Sequence, residues 1–331
     1  MLVVQCLGSV GAGLGSLLYE GGSEHGAEDM LPYRIFCVAT AVLVSACFFV
    51  VRLPKEPQPL SRDGGASPLA NAPSFWRFVH QTMARPSMRC VSIVFAIQEC
   101  SSTFATTFFS LFLAVVTADL LSYPVRAAVL FLSFLLPHLL VGLDPHVLFF
   151  FQAKKVILVC LLLRILVSVA MLLLSVLMRG GLLPAPLYVS AFAALLLANR
   201  VLTEVVNALK NEILNDLADE DMVVFGRGTS TIDALRSLMS GIANTCRPLT
   251  LALTFAFLSS YDILSRHSFS EQKVSDECRV GIVRLVGYCA AVSSACAAGV
   301  WWYMYPLEGK YLQFISSAIK KRTDTQNANS V

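Results

Sequence analysis

Ten side chains able to carry charge or make strong hydrogen bonds stand inside otherwise apolar runs: Gln98, Glu99, Arg164, Asn199, Arg200, Glu204, Asp233, Arg236, Asn244 and Arg247. An ionised group near the middle of a membrane helix costs about 2.5–3.5 kcal/mol on insertion scales, so each needs water, a partner or a solute. The chemistry such a set suits is the binding and passage of a small polar molecule or ion. Gln98, Glu99, Asn199, Arg200, Glu204, Asn244 and Arg247 are therefore the expected substrate or ion pathway, with Glu99, Arg200, Glu204, Asn244 and Arg247 lining one polar cavity. The plainer alternative is static neutralisation. Arg200 and Glu204 are four apart and Asp233 and Arg236 three apart, the spacings of local helical pairs. Arg247 precedes Pro248, which interrupts the local hydrogen-bond ladder. Arg164 has no obvious partner.

Arg200, Glu204, Asn207 and Asn211 follow one another at intervals of four, three and four, which places them on one helical face. That stripe runs into Asp216, Asp219, Glu220 and Asp221, and then into Gly226-Arg227-Gly228. The expectation is a cytoplasmic gate in which these carboxylates pair with Arg227, Arg236 or other basic helix ends. The simpler reading is a solvated helix end.

Other chemistries find no support. There is no Walker A sequence, no Gly-x-Ser-x-Gly, no His/Cys spacing for a metal and no basic nucleic-acid surface. No catalytic residue, metal or cofactor is expected. The ten cysteines form no Cys-x-x-Cys pair, and most lie in apolar runs, where cysteine acts as a small hydrophobe.

The elements that position the polar residues follow from composition. Apolar residues make up 56% and charged residues only 14% of the 331, against roughly 45–50% and 25% in soluble domains. Mean hydropathy is +0.67. A spanning helix takes about 20 mostly apolar residues. Eight segments qualify: 2–19, 31–51, 89–116, 121–143, 156–178, 184–208, 229–258 and 281–304. The first carries Gly8, Gly11 and Gly15 on one face, suited to close helix packing, and Met1 leaves almost no lead-in to it, as in an N-terminally shortened chain. Residues 52–74, rich in Pro, Gly and Ser, read as a flexible linker, and residues 75–81 as a short amphipathic helix. The end of the chain, from Lys321, is polar and reads as disordered.

Basic residues set orientation. Arg52, Lys55, Arg62, Arg77 and Arg85 in the linker, Lys154, Lys155, Lys210 and Arg227 in later loops, and Lys310, Lys320, Lys321 and Arg322 in the tail all fall on one side of an eight-helix arrangement. Both termini are then cytoplasmic, and Trp301, Trp302, Tyr303 and Tyr305 occupy an aromatic belt.

The stretch from Ala198 to Leu258 resembles the transmembrane protein 180 family, also called major facilitator domain-containing protein 13A. The resemblance rests on Asn199-Arg200-Val201, Thr203-Glu204, Asp216-Leu217 leading to Asp219-Glu220-Asp221, and Arg247-Pro248. Gln98, the run Phe108–Leu113 and Tyr261-Asp262-Ile263-Leu264 also resemble it, and the likeness covers roughly residues 75–310. That family sits within the major facilitator superfamily, near the glycoside–pentoside–hexuronide cation symporters. The resemblance implies that the eight helices match facilitator helices five to twelve. The acidic cation ligands of the symporters lie in helices two and four, which have no counterparts here.

The reading is an all-α polytopic membrane protein, a partial major facilitator bundle. Residues 1–51 would be a remnant of the N-terminal half, 52–88 a cytoplasmic linker, 89–308 a six-helix C-terminal half and 309–331 a cytoplasmic tail. The expected function is secondary-transporter-like movement of a small polar solute with a coupling cation, within a lipid bilayer and without nucleic acid. The alternative is a non-transporting scaffold or receptor-like protein that keeps the half-bundle.

Overall fold

A computed structural model describes Gly11, Leu14, Gly15 and residues 31–51, 75–117, 120–142, 153–226, 231–260, 276–307 and 309–329. Every regular element among them is an α-helix. In chain order these are α1 (Leu31–Val51), α2 (Phe75–Ala84), α3 (Pro86–Thr107), α4 (Phe109–Thr117), α5 (Tyr123–Gly142), α6 (Ala153–Arg179), α7 (Ala185–Ala208), α8 (Lys210–Val224), α9 (Ile232–Ser260), α10 (Asp276–Met304) and α11 (Gly309–Asn329). The expected first span lies outside the described residues but for three positions, as do the linker at 52–74 and Arg227.

Among the described residues, three helices are long and apolar enough to cross a membrane: α6, the 40-residue run Ala185–Val224 formed by α7 and α8, and α10. A fourth crossing results if α3 and α4, bent by 47°, count as one. Of the eight spans expected, the first lies almost wholly outside the described residues. Leu31–Leu43 of α1 and Pro124–Pro137 of α5 are shorter apolar stretches. α9 has 29 residues, but Asp233, Arg236, Asn244 and Arg247 lower its apolarity. The outer side of α6 exposes Val159, Leu162, Leu166, Val169, Leu173 and Val176 at helical spacing, an apolar face suited to lipid.

Local chemistry explains the breaks. Pro86 occupies the first turn of α3, where its missing N–H is not needed. The Thr106 hydroxyl bonds back to the Ser102 carbonyl at 2.8 Å, a contact that bends helices, and α3 stops one residue later. Gly226 ends α8 with φ of 63°, a conformation that other residues adopt with strain.

The core is stratified. α3 lies centrally, against α2, α4, α7, α8, α9 and α10, and α6 packs along α10. One apolar cluster gathers Met88, Val94, Ile157, Leu161, Val206 and Trp301. A second gathers Phe104, Phe112, Met171, Phe192, Leu196 and Val283. Between them every principal helix turns polar: Gln98 to Thr103 on α3, Arg164 and Ser168 on α6, Asn199, Arg200 and Thr203 on α7, and Ser293 and Ser294 on α10. This polar waist lies between two apolar layers, roughly 18 Å along α3 from Pro86.

Two sequence expectations are corrected here. The polar end of the chain continues α11 to Asn329, because Ile315 and Ile319 of that helix pack into the first apolar cluster. The four aromatic residues do not form one belt: Trp301 and Tyr305 stack internally with ring centroids 4.2 Å apart, whereas Trp302 and Tyr303 are exposed.

Candidate functional site

The polar waist is organised by Arg164, fully buried at 0% exposure. Its Nη1 donates to Gln98 Oε1 at 3.0 Å, its Nη2 to Ser101 Oγ at 2.6 Å and its Nε to Asn199 Oδ1 at 3.3 Å. Gln98 passes the network on by donating Nε2 to the Thr203 carbonyl at 2.9 Å. Every acceptor is neutral, so the guanidinium is solvated by protein but its charge is not cancelled.

The Glu99 carboxylate receives two cations from different elements. Lys210 Nζ lies 2.9 Å from Oε2 and Arg247 Nε lies 2.7 Å from Oε1. Glu99 is largely enclosed, while the Arg247 side chain is 57% exposed. Asn244, three residues from Arg247 on α9, is exposed as well. An open face carrying these two residues halfway along a 29-residue helix suits water or protein better than lipid.

Glu204 belongs to a third group. Its Oε1 accepts from the Ser102 hydroxyl at 3.2 Å and its Oε2 from Asn207 Nδ2 at 3.4 Å, while Asn207 also donates to Ser102 Oγ at 2.8 Å. The expected Arg200–Glu204 pair does not form. Arg200 turns instead over the aromatic rings of Phe109 (4.9 Å to the centroid) and Phe134 (4.4 Å). Glu204 is taken up by neutral donors from α3 and α7, and the phenyl faces offer the guanidinium a competing attraction.

The acidic cluster splits in two. Arg85, just ahead of α3, reaches Glu220 Oε2 with Nη1 at 3.2 Å and Asp221 Oδ1 with Nη2 at 3.2 Å. The same Nη1 caps the Leu217 carbonyl at 3.3 Å, and the guanidinium lies 5.8 Å from the Phe225 ring centroid. The Ser87 hydroxyl donates to Glu220 Oε2, Tyr311 OH donates to Glu220 Oε1 at 3.2 Å, and Thr231 Oγ1 donates to Asp221 Oδ2 at 2.8 Å. Partial burial and then the Glu220 carboxylate push the Tyr311 phenol above its usual range. This latch joins α3, α8 and α11. The gate expectation named Arg227, Arg236 or other basic helix ends as partners, and Glu220 and Asp221 take Arg85, at the start of α3. Arg236 instead holds its own Asp233 at 3.4 Å, and both are exposed. Asp216 and Asp219 form no ion pair among the described residues.

The seven pathway candidates thus separate. Gln98 and Asn199 hold Arg164; Glu99 and Arg247 pair; Glu204, Arg200 and Asn244 stand apart. Sequence reasoning missed Arg164 as the hub, Lys210 as a second cation on Glu99 and Tyr311 as a latch member, and it left Arg85 unnamed among the basic helix ends. The available signal was the demand for acceptors by a mid-helix arginine. Its partners lie 66, 63 and 35 residues away in the chain, beyond any helical spacing rule. No protein-family model matches the sequence, and a search of curated proteins finds no match.

Proposed function

We propose that this chain is a secondary-transporter-like membrane protein of the facilitator type, related to the transmembrane protein 180 family, with its two ends on the cytoplasmic side. The supporting observation is Glu99 held by both Lys210 and Arg247 from separate elements. A carboxylate shared by two cations can exchange one of them for a solute at small electrostatic cost, because the other remains. Arg247 is the cation that leaves, since it lies on the open face of α9 with Asn244. In this reading the facilitator half-bundle runs from α3 to α10, and the latch of Arg85 with Glu220 and Asp221 closes its cytoplasmic end. Gathering Arg85, Glu220 and Tyr311 at one end supports placing their loops on one side of the membrane.

A second reading, a non-transporting scaffold or receptor-like half-bundle, draws on Arg164, whose complete burial among fixed neutral acceptors suits a static core. Proteoliposomes of the full chain separate the two. Counterflow of a panel of radiolabelled sugars, amino acids and organic acids is expected to give saturable uptake of at least one solute, lost in Arg247→Ala although that variant still inserts. Absence of saturable uptake across the panel supports the scaffold.

A further inference from the structure

The charges of the polar waist do not balance. Between the levels of Lys210 and Arg200, α3, α6, α7, α8 and α9 bring in four cations, Arg164, Arg200, Lys210 and Arg247, against two carboxylates, Glu99 and Glu204. The surplus is two positive charges. Lys210 and Arg247 share Glu99, and Arg164 is satisfied by neutral acceptors. Arg200 has neither an ion pair nor a hydrogen bond among the described residues, and Glu204 acts on it only through its field.

Arg200 is 5% exposed, none of its nitrogens hydrogen-bonds to a described residue, and its Nε is sealed from solvent without an acceptor. Its attraction to the rings of Phe109 and Phe134 uses none of its five N–H donors. A guanidinium keeps its charge in proteins, so it does not escape this position by losing a proton. Its planar fork matches a two-oxygen acceptor. Glu204 is the carboxylate closest in sequence, but it is turned toward Ser102 and Asn207.

We propose that Arg200 is the docking residue of an oxyanion, a carboxylate or phosphate group, whose negative charge offsets the surplus of the waist. The same group occurs on free metabolite-sized anions and on lipid headgroups. The proposal rests on the transporter reading only where it makes this oxyanion part of the solute moved. It then runs against a cation as the ligand of this half of the bundle, because a net positive interior repels cations.

The test is calorimetric titration of the full chain in phosphatidylcholine nanodiscs with succinate, inorganic phosphate and, as a neutral control, glucose. A parallel arm measures retention of phosphatidylglycerol by native mass spectrometry. Succinate or phosphate is expected to bind, about tenfold more weakly in Arg200→Gln. Glu204→Gln, which adds to the positive surplus, is expected to bind about fivefold more tightly. That gain cannot arise from a damaged fold and decides the matter if Arg200→Gln does not purify. Phosphatidylglycerol retention that depends on Arg200, with no soluble anion bound, upholds the oxyanion site with a headgroup as its source. Anion affinities unchanged in both variants, or no oxyanion bound in either arm, overturn the proposal. Binding of succinate or phosphate without any flux in liposomes keeps this site and overturns the transport reading. Flux of a neutral solute with no oxyanion bound does the reverse.

Discussion

Arg247 Nε meets Glu99 Oε1 at 2.7 Å, joining the middle of α9 to α3 across 148 residues of chain. Lys210 occupies the other oxygen. Removing the carboxylate therefore strands two cations, whereas removing either cation leaves one pair intact.

That asymmetry sets the first expected result. Glu99→Gln lowers thermal stability in detergent more than Lys210→Met or Arg247→Gln does. The coupling between positions 99 and 247 in a double-mutant cycle is about 0.5–3 kcal/mol. Equal effects of the three single changes would remove Glu99 from the centre of the group.

Arg164 gives the second. Arg164→Leu leaves Gln98, Ser101 and Asn199 without the donor they share in a buried layer. The expected loss is about 1–3 kcal/mol, seen as a lower melting temperature and faster proteolysis in detergent. Arg164→Gln recovers part of it by donating to one of the three. A variant as stable as the parent would mean that the three polar groups find other partners.

The third concerns the latch. Arg85→Met leaves Glu220 and Asp221 buried without their cation, at a cost of about 3–5 kcal/mol. Hydrogen exchange should rise first in α11, which Tyr311 ties to Glu220. Tyr311→Phe should cost about 1 kcal/mol. The phenol has a raised folded pKa, so its contribution is complete below its unfolded value of about 10 and is lost as pH rises through the higher folded value. Protection of α11, measured relative to the intrinsic exchange rate at each pH, should therefore stay flat from neutral pH to about 9 and then fall. A loss of protection already near neutral pH would assign the change to another group.

The fourth tests the packing of α3 against α9. The Cys100 and Cys246 side chains, one residue from Glu99 and Arg247 respectively, are near enough to influence each other electrostatically. Mild oxidation with copper phenanthroline is expected to link them. Mass spectrometry of an unreduced digest should show that cross-linked peptide in the parent and not in Cys100→Ser or Cys246→Ser.

The fifth tests the contact of α6 with α10. A Cβ added at Gly287 would stand 2.9 Å from Leu172 Cδ2 and 3.4 Å from Met171 Cβ. Alanine asks only for a shift at the far end of Leu172. Gly287→Leu should cost about 1–3 kcal/mol through overpacking, measured as a fall in melting temperature well beyond that of Gly287→Ala.

Much of the helical order is legible in the chain. From residue 31 onward the described parts of the segments expected to be apolar helices are mostly helical, because long runs of apolar residues bounded by Pro, Gly and charged loops admit few other backbone solutions. The pair Asp233–Arg236 also follows from spacing, since both partners lie on one exposed turn. Arg200 and Glu204 have an equally good local spacing and do not pair. Each has a stronger attraction from another helix, the Phe109 and Phe134 rings for one and Ser102 with Asn207 for the other.

Composition and periodicity alone establish the apolar helices and mark the residues too polar to stand unaided within them, because burial and backbone hydrogen bonding act along one segment. Tertiary packing decides which cation meets which carboxylate. It gives Arg164 its neutral shell, assigns two cations to Glu99, and leaves Arg200 without an acceptor among the described residues. Those outcomes depend on contacts a few ångströms long between helices tens of residues apart, and no rule of spacing within one helix reaches that far.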